Sequence, residues 1–211
     1  MSNRKPTFFT SDWHIGHANA IEFDNRPFRD VDHMHRSLVK NYNSQVPVNG
    51  VCYFLGDIGI SSSEKTREVI TQLNGTKIMV LGNHDKNMNA MYNCGFDVVV
   101  YGAVIYIGGE RVTMSHCPLV GVYRENLDHL PEHKKHNPPE NWHGEYKNTR
   151  FTFTNENQFH LHGHIHSNKD TPHKVPILGR QFDVGVPANG YRPVSIGQIE
   201  SWIMKYKRDL K

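Results

Sequence analysis

A chain of 211 residues, 37% of them hydrophobic, is long enough for one substantial core, and a single domain over residues 1–211 is expected. The 24 Lys and Arg residues nearly balance 21 Asp and Glu, so a net charge of +3 gives only a weak bias toward anionic partners and does not by itself indicate nucleic acid. No stretch approaches the roughly 18 uninterrupted apolar residues of a membrane span, MSNRKPTFFT lacks the apolar run of a signal peptide, and three scattered cysteines fit free thiols in a reducing compartment, so no membrane association and a cytoplasmic location are expected.

In chain order, Thr7 to Thr10 is short, apolar and β-prone and reads as the first strand. Val31, Met34, Leu38 and Tyr42 recur at helical spacing and stop before the turn PVNG. VCYFL (Val51 to Leu55) is a continuous apolar run of the kind buried on both faces of a sheet. Ser61 and Glu64 have the spacing of a capping box for a helix running to Leu73 and stopping at Asn74-Gly75. KIMVL (Lys77 to Leu81) is the next buried strand, so the first half alternates strand and helix and predicts a mainly parallel sheet. After Phe96 the rhythm changes to successive strands, with Gly108-Gly109 as a hairpin turn and QFHLHG and RQFDVGV as further strand candidates. Ser195 and Gln198 form another capping box, opening a closing helix marked by Ile199, Trp202, Tyr206 and Leu210. The segment Cys117 to Asn157 is polar, proline-bearing and aperiodic, and is expected to be a lid insertion or an edge decoration.

Histidine is unusually abundant, 15 of 211 residues, and its placement is informative. Asp12-Trp13-His14 follows the first strand, Gly56-Asp57 the second, and Gly82-Asn83-His84-Asp85 the third. Ser115-His116 and Gly163-His164-Ile165-His166 follow two later ones. Ligands of an open α/β sheet gather at the carboxyl ends of its strands, so five such loops can converge on one point.

In this order D-x-H, G-D, G-N-H-D, a lone H and G-H-x-H resemble the calcineurin-like metallophosphoesterase superfamily. SDWHIGH, NRPF and VGVPANGYRPVS are similar to its small bacterial and phage-type members, and the likeness spans Thr10 to Ile199. It implies an α/β fold built as a four-layer α/β/β/α sandwich, two sheets flanked by helices. It also implies two divalent cations, roughly 3.5 to 4 Å apart, that clamp the oxygens of a phosphoryl displacement, with a hydroxide between them as nucleophile. By the same resemblance Asp57 bridges the cations, Asp12, His14 and His166 complete the first shell, and Asn83, His116 and His164 complete the second.

Nitrogen and oxygen donors without thiolate suit Mn²⁺, the first expectation, or Fe, Ni²⁺ or Zn²⁺. His84 is expected as the general acid, with Asp85 orienting its imidazole. His17 and Arg26 are candidate phosphate contacts, against a structural histidine and a salt bridge as the plain alternatives, and Cys117 is expected to pack rather than ligate. The expected activity is hydrolysis of phosphate esters, with a phosphodiester or nucleotide preferred. The alternatives are a phosphomonoesterase on phosphoprotein or a small metabolite, and a non-catalytic metal-binding scaffold. Partners would be a phosphorylated small molecule, a nucleotide or a short nucleic acid, with oligomeric state left open.

Overall fold

The computed structural model describes residues 5–59, 63–119, 153, 156, 158–167 and 180–209. Ser61, Leu210 and most of the expected lid lie outside the described residues. Those described form a mixed α/β structure with two mixed sheets and five helices.

The first sheet takes β1 (Thr7–Thr10), β2 (Val51–Leu55), β3 (Thr76–Val80) and β4 (Val98–Val100) in parallel. A two-residue β9 (Val194–Ser195) joins β1 antiparallel, giving the order β4-β3-β2-β1-β9. Parallel neighbours require crossovers. These contain α1 (Asn19–Phe23), α2 (Val31–Asn43), α3 (Ser63–Ile70) and α4 (Met88–Cys94).

Local chemistry sets the boundaries. Asp30 caps α2 by accepting the His33 amide at 2.6 Å, and Asn87 caps α4 by accepting that of Ala90 at 2.9 Å. Helix α3 ends at Ile70 rather than Leu73, because the Gln72 and Leu73 amides turn to carbonyls three residues back, which tightens the last turn. The closing helix α5 (Ile196–Asp209) has the reciprocal box: the Ser195 amide donates to Gln198 Oε1 at 2.8 Å and the Gln198 amide to Ser195 Oγ at 3.3 Å.

The second sheet has the order β5-β6-β7-β8. Strands β5 (Ala103–Ile107) and β6 (Glu110–Met114) form a hairpin through Gly108 and Gly109, whose φ angles of 57° and 84° supply the left-handed turn that β-branched residues resist. The expected succession of strands then gives way to parallel pairing: β7 (Phe159–His162) runs parallel to β6, and β8 (Gln181–Asp183) parallel to β7. Both links are therefore crossovers, which accounts for a long connection after His116.

Alternation along the strands feeds two cores. Phe54 joins Trp13, Met34, Leu38, Tyr42, Met79 and Met91 in one cluster between the first sheet and helices α2 and α4. Its neighbour Leu55 joins Phe9 and Val80 in the other, with Val112, Met114, Phe159 and Leu161 of the second sheet and Ile199 and Ile203 of α5. Trp13 has the greatest bearing on the site. It is buried between Asp12 and His14 in sequence, packs at ring-centroid distances of 5.7 Å on Phe54 and 5.9 Å on Tyr42, and donates its indole N–H to Thr10 Oγ1 at 2.8 Å. The loop leaving β1 is thereby pinned into the core. Among the described residues no helix is long and apolar enough to cross a membrane, and all three cysteines are free thiols.

Candidate metal centre

The loops leaving β1 and β2 are laced together by main-chain bonds, and the loop leaving β3 is joined to them through the carboxylates of Asp57 and Asp85. Asp12 N–H donates to the Gly56 carbonyl at 3.1 Å, His14 N–H to that of Asp57 at 3.1 Å and Ile15 N–H to that of Ile58 at 2.8 Å. The second sheet is tied in by the Val186 amide on the Ser11 carbonyl at 3.0 Å and the His164 amide on the Asp12 carboxylate at 3.1 Å, and its own two loops are joined by the Gly163 amide on the His116 carbonyl at 2.9 Å. Glycine is required where these loops touch: a Cβ on Gly163 would collide with Ser11 Oγ and Asp12 Oδ2, and one on Gly56 with the His116 ring.

This lacing brings Asp12, His14, Asp57, Asn83, His116, His164 and His166 together. In one group His14 Nε2 lies 2.9 Å from His166 Nε2, and His166 Nε2 lies 3.5 Å from Asp12 Oδ1. In the other, His164 Nδ1 is 3.2 Å from both Asn83 Oδ1 and His116 Nε2. Asp57 stands between them, its Oδ2 3.2 Å from His116 Nε2 and 3.9 Å from His14 Nε2. Asp12, His14 and His166, and separately Asp12, Asp57 and His116, have donor atoms close enough to hold one ion. Cys117, expected only to pack, is buried with its Sγ close enough to ring nitrogens of His116 and His164 for the three to hold one ion.

The backbone here is unusual. Asp12, His14, Asp57, His164 and His166 have φ of 59°, 51°, 54°, 73° and 47°, in the left-handed region that L side chains avoid. Only Asn25 and Tyr191 join them among the described non-glycine residues. Strain concentrated in five of seven clustered polar residues marks a functional site, since packing alone has no need of it.

Electrostatics separates the imidazoles into two kinds. Burial drives His14 down to about 3, aided by His166, and His164 down to about 4, aided by His116. Burial also opposes the charged forms of His116 and His166, but Asp57 overrides it and raises His116 to about 9, while Asp12 and Asp24 raise His166 to about 10. Both carboxylates are held below their ordinary range despite burial, Asp12 chiefly by His166 and Asp57 chiefly by His116. Two protons thus stand among carboxylates and lone pairs where a cation would satisfy the same charges, and the nitrogen and oxygen donor set fits divalent metal.

Tautomers are fixed from behind. His116 Nδ1 donates to the Leu55 carbonyl at 2.8 Å, leaving Nε2 to face Asp57. His166 Nδ1 donates to Asp24 Oδ1 at 2.9 Å, leaving Nε2 to face His14. Asp24 had no place in the sequence-based site; its position two residues before Arg26 was the available signal.

No protein-family model matches the chain. It is 31% identical over 210 residues to the uncharacterized protein MJ1445 of Methanocaldococcus jannaschii, an alignment covering 98% of this chain and 96% of that one. It is also 30% identical to the gene 66 protein of Mycobacterium phage L5, across 90% of this chain and 89% of that one. The chain belongs to this family. A solved structure, the protein of unknown function AQ665 from Aquifex aeolicus, superposes with a TM-score of 0.66 at 23% identity, over 94% of this chain and 100% of that one, and shows a shared fold.

Within this member of the family, two expected roles require correction. Arg26 is no phosphate contact: it is buried, and its guanidinium is consumed by Asp24 Oδ2 (2.9 and 2.7 Å), the carbonyls of Trp13 and Asp12 (both 3.1 Å) and Met34 Sδ (3.7 Å). It clamps the Asp12-Trp13 loop instead. Asp85 does not orient His84, because its carboxylate turns inward to accept amides from Gly82 (2.7 Å), Asp57 (2.8 Å) and Ile58 (3.0 Å). Burial and the adjacent Asp57 raise Asp85 to about 6. His84 is exposed, its ring centroid 6.1 Å from that of His14, and its amide donates to Asp57 Oδ1 at 3.0 Å. His17 is half-buried, 5.7 Å from His14 on the same measure. His35 was also missed: its Nε2 accepts the Gly16 amide at 2.9 Å, steadying the loop between His14 and His17.

Asp24→Asn is expected to weaken cation binding about 10- to 100-fold, by removing the charge behind His166, and to lower stability because buried Arg26 loses its anionic partner; titration calorimetry with Mn²⁺ and thermal unfolding followed by circular dichroism check this. The pH dependence has a definite sign. In the metal-free protein the raised pKa values of His116 and His166 give stability that is full below their ordinary 6.5 and lost as pH rises through about 9 to 10. A cation must displace those protons, so at neutral pH its binding is expected to release about two, and affinity to climb with pH up to that range. Calorimetry in buffers of different ionisation enthalpy counts them; zero release would refute the assignment of His116 and His166 as ligands.

Proposed function

We propose that this chain is a dinuclear metal-dependent phosphoesterase of the calcineurin-like superfamily, with its two sheets as the middle layers of an α/β/β/α sandwich. The observation that carries this reading is the Asp57 carboxylate, whose Oδ2 faces His116 and the His14–His166 pair at once. The division of apolar residues into one core on the helical face of the first sheet and another joining both sheets to α5 supports the layered arrangement.

Asp12, His14 and His166 would hold one cation, Asn83, His116 and His164 the other, and Asp57 both. Bound there, divalent metals supply Lewis acidity toward phosphoryl oxygen and lower the pKa of water. Mn²⁺ is the first choice, with Fe, Ni²⁺ or Zn²⁺ as alternatives compatible with the donors.

The chain's own groups do the rest. His84 is exposed and anchored through its amide to Asp57, and its imidazole would deliver a proton to the leaving oxygen. His17 shares the opening and offers a second ring nitrogen toward a bound phosphate. Arg26 and Asp24 keep the Asp12 loop and His166 in register. A phosphodiester or nucleotide is the favoured substrate, consistent with a net charge of only +3, which suits a small anion better than a long duplex.

His84→Ala is expected to keep both cations by metal analysis and lose about 10² to 10⁴ in kcat, whereas Asp57→Asn loses cations as well as turnover. Metal depletion confined to His84→Ala would reverse these roles. With Mn²⁺, bis(p-nitrophenyl) phosphate is expected to be hydrolysed faster than p-nitrophenyl phosphate. The opposite preference would favour the monoesterase, and no turnover of either ester a non-catalytic scaffold.

A further inference from the structure

The segment that braces His166 also displays an aromatic ring beside the opening of the centre. Phe23 ends α1 and is 75% exposed, while the next residue, Asp24, is buried on His166 and Arg26. The backbone is fixed on both sides of that anchor: Asp24 N–H donates to the Ala20 carbonyl at 3.2 Å and Arg26 N–H to that of Ile21 at 2.8 Å, with Asn25 between them at φ 48°. Phe23 is thus an apolar side chain on a rigid mount, and it belongs to neither core cluster.

One exposed apolar residue on a surface needs no explanation. This one is the outer member of a series of ring contacts. Phe23 meets His17 edge-on, with centroids 6.4 Å apart at 73°, and His17 lies 5.7 Å from His14, whose Nε2 belongs to the first donor group. Burial falls along the series, from His14 through half-buried His17 to Phe23. His17 Nδ1 is itself buried without a hydrogen-bond partner among the described residues.

Resting on the phosphoesterase reading, we propose that Phe23, with His17, is a stacking platform for a nucleobase, so that the substrate is a nucleotide-bearing phosphate ester rather than an alkyl one. A phosphate at the donor groups directs its organic substituent past His17 toward Phe23. A flat apolar face in water gains by covering an aromatic ring and gains little from a sugar or alkyl chain. Stacking reads the face of a base and not its edge, so all four bases are accepted.

The test compares adenosine 5′-monophosphate with ribose 5-phosphate, which differ only in the base, by calorimetry on the Mn²⁺-loaded protein. The wild type is expected to bind the nucleotide about tenfold or more tightly. Phe23→Ala abolishes that preference without weakening ribose 5-phosphate, and Phe23→Trp restores it; circular dichroism verifies that both variants fold. A single-stranded oligonucleotide with the same 5′-phosphate identifies the source of the base: a gain over the mononucleotide assigns strand ends, equality assigns free nucleotides. Equal binding of both small ligands by the wild type, or equal weakening of both by Phe23→Ala, overturns the platform while phosphate binding stands. Failure of both ligands to bind overturns the platform, and the phosphoesterase reading falls with it only if the Mn²⁺-loaded protein also hydrolyses neither p-nitrophenyl ester.

Discussion

Two carboxylates, four imidazoles and the Asn83 amide from five loops meet within a few ångströms, and that crowding is the constraint to which the rest of the structure answers. Oriented lone pairs, such as those of His14 Nε2 and His166 Nε2 at 2.9 Å, repel unless a proton or a cation lies between them. Buried charge of this density costs several kcal/mol per uncompensated group. It persists because the surrounding chain leaves it no room to relax: Trp13 locks the first loop into the core, glycines permit contact, and left-handed backbone turns five of the seven clustered residues inward.

The supporting groups divide by side. Behind His166 stands Asp24, itself paired with Arg26, which reaches back to the carbonyls of Asp12 and Trp13. One ion pair thus fixes both a ligand from the second sheet and a ligand loop from the first. Behind His116, among the described residues, the Leu55 carbonyl takes the Nδ1 proton, and Asn83 and His164 on that side are neutral. Negative charge is therefore concentrated at the Asp12 end, and the two halves of the centre are chemically unequal although they share Asp57.

How much of this was legible in the sequence depended on the range of the interaction that decides it. Strands β1 and β2 and the cap of α5 rest on local pattern and fall where the pattern places them. Helix α1, with five residues, and β9, with two, are too short to show a period. The parallel pairing of β7 with β6 depends on where a long connection returns, which periodicity does not encode. In the site, loops following strands marked the seven clustered residues, because strand ends of a parallel sheet share an edge, but not Asp24, which follows a helix and reaches His166 from behind. Roles were harder to read. Asp85 adjoins His84 in sequence, yet one amide of its own loop and two of the neighbouring loop claim its carboxylate; Arg26 looks like an anion receptor until its donors are counted.

That last contrast has a general physical basis. A guanidinium with five donors in a fixed fork is a phosphate receptor only when some of them face solvent, and burial beside Asp24 converts the same group into a brace. Among the described residues, the accessible groups along the ring series that starts at His14 are His84, exposed, His17, half-buried, and Phe23 beyond them. Imidazoles and a phenyl ring offer proton transfer and apolar faces rather than fixed positive charge. On the proposed function, attraction for a phosphoryl group would come from the buried donor set, and the rim would act on the organic part of the ester.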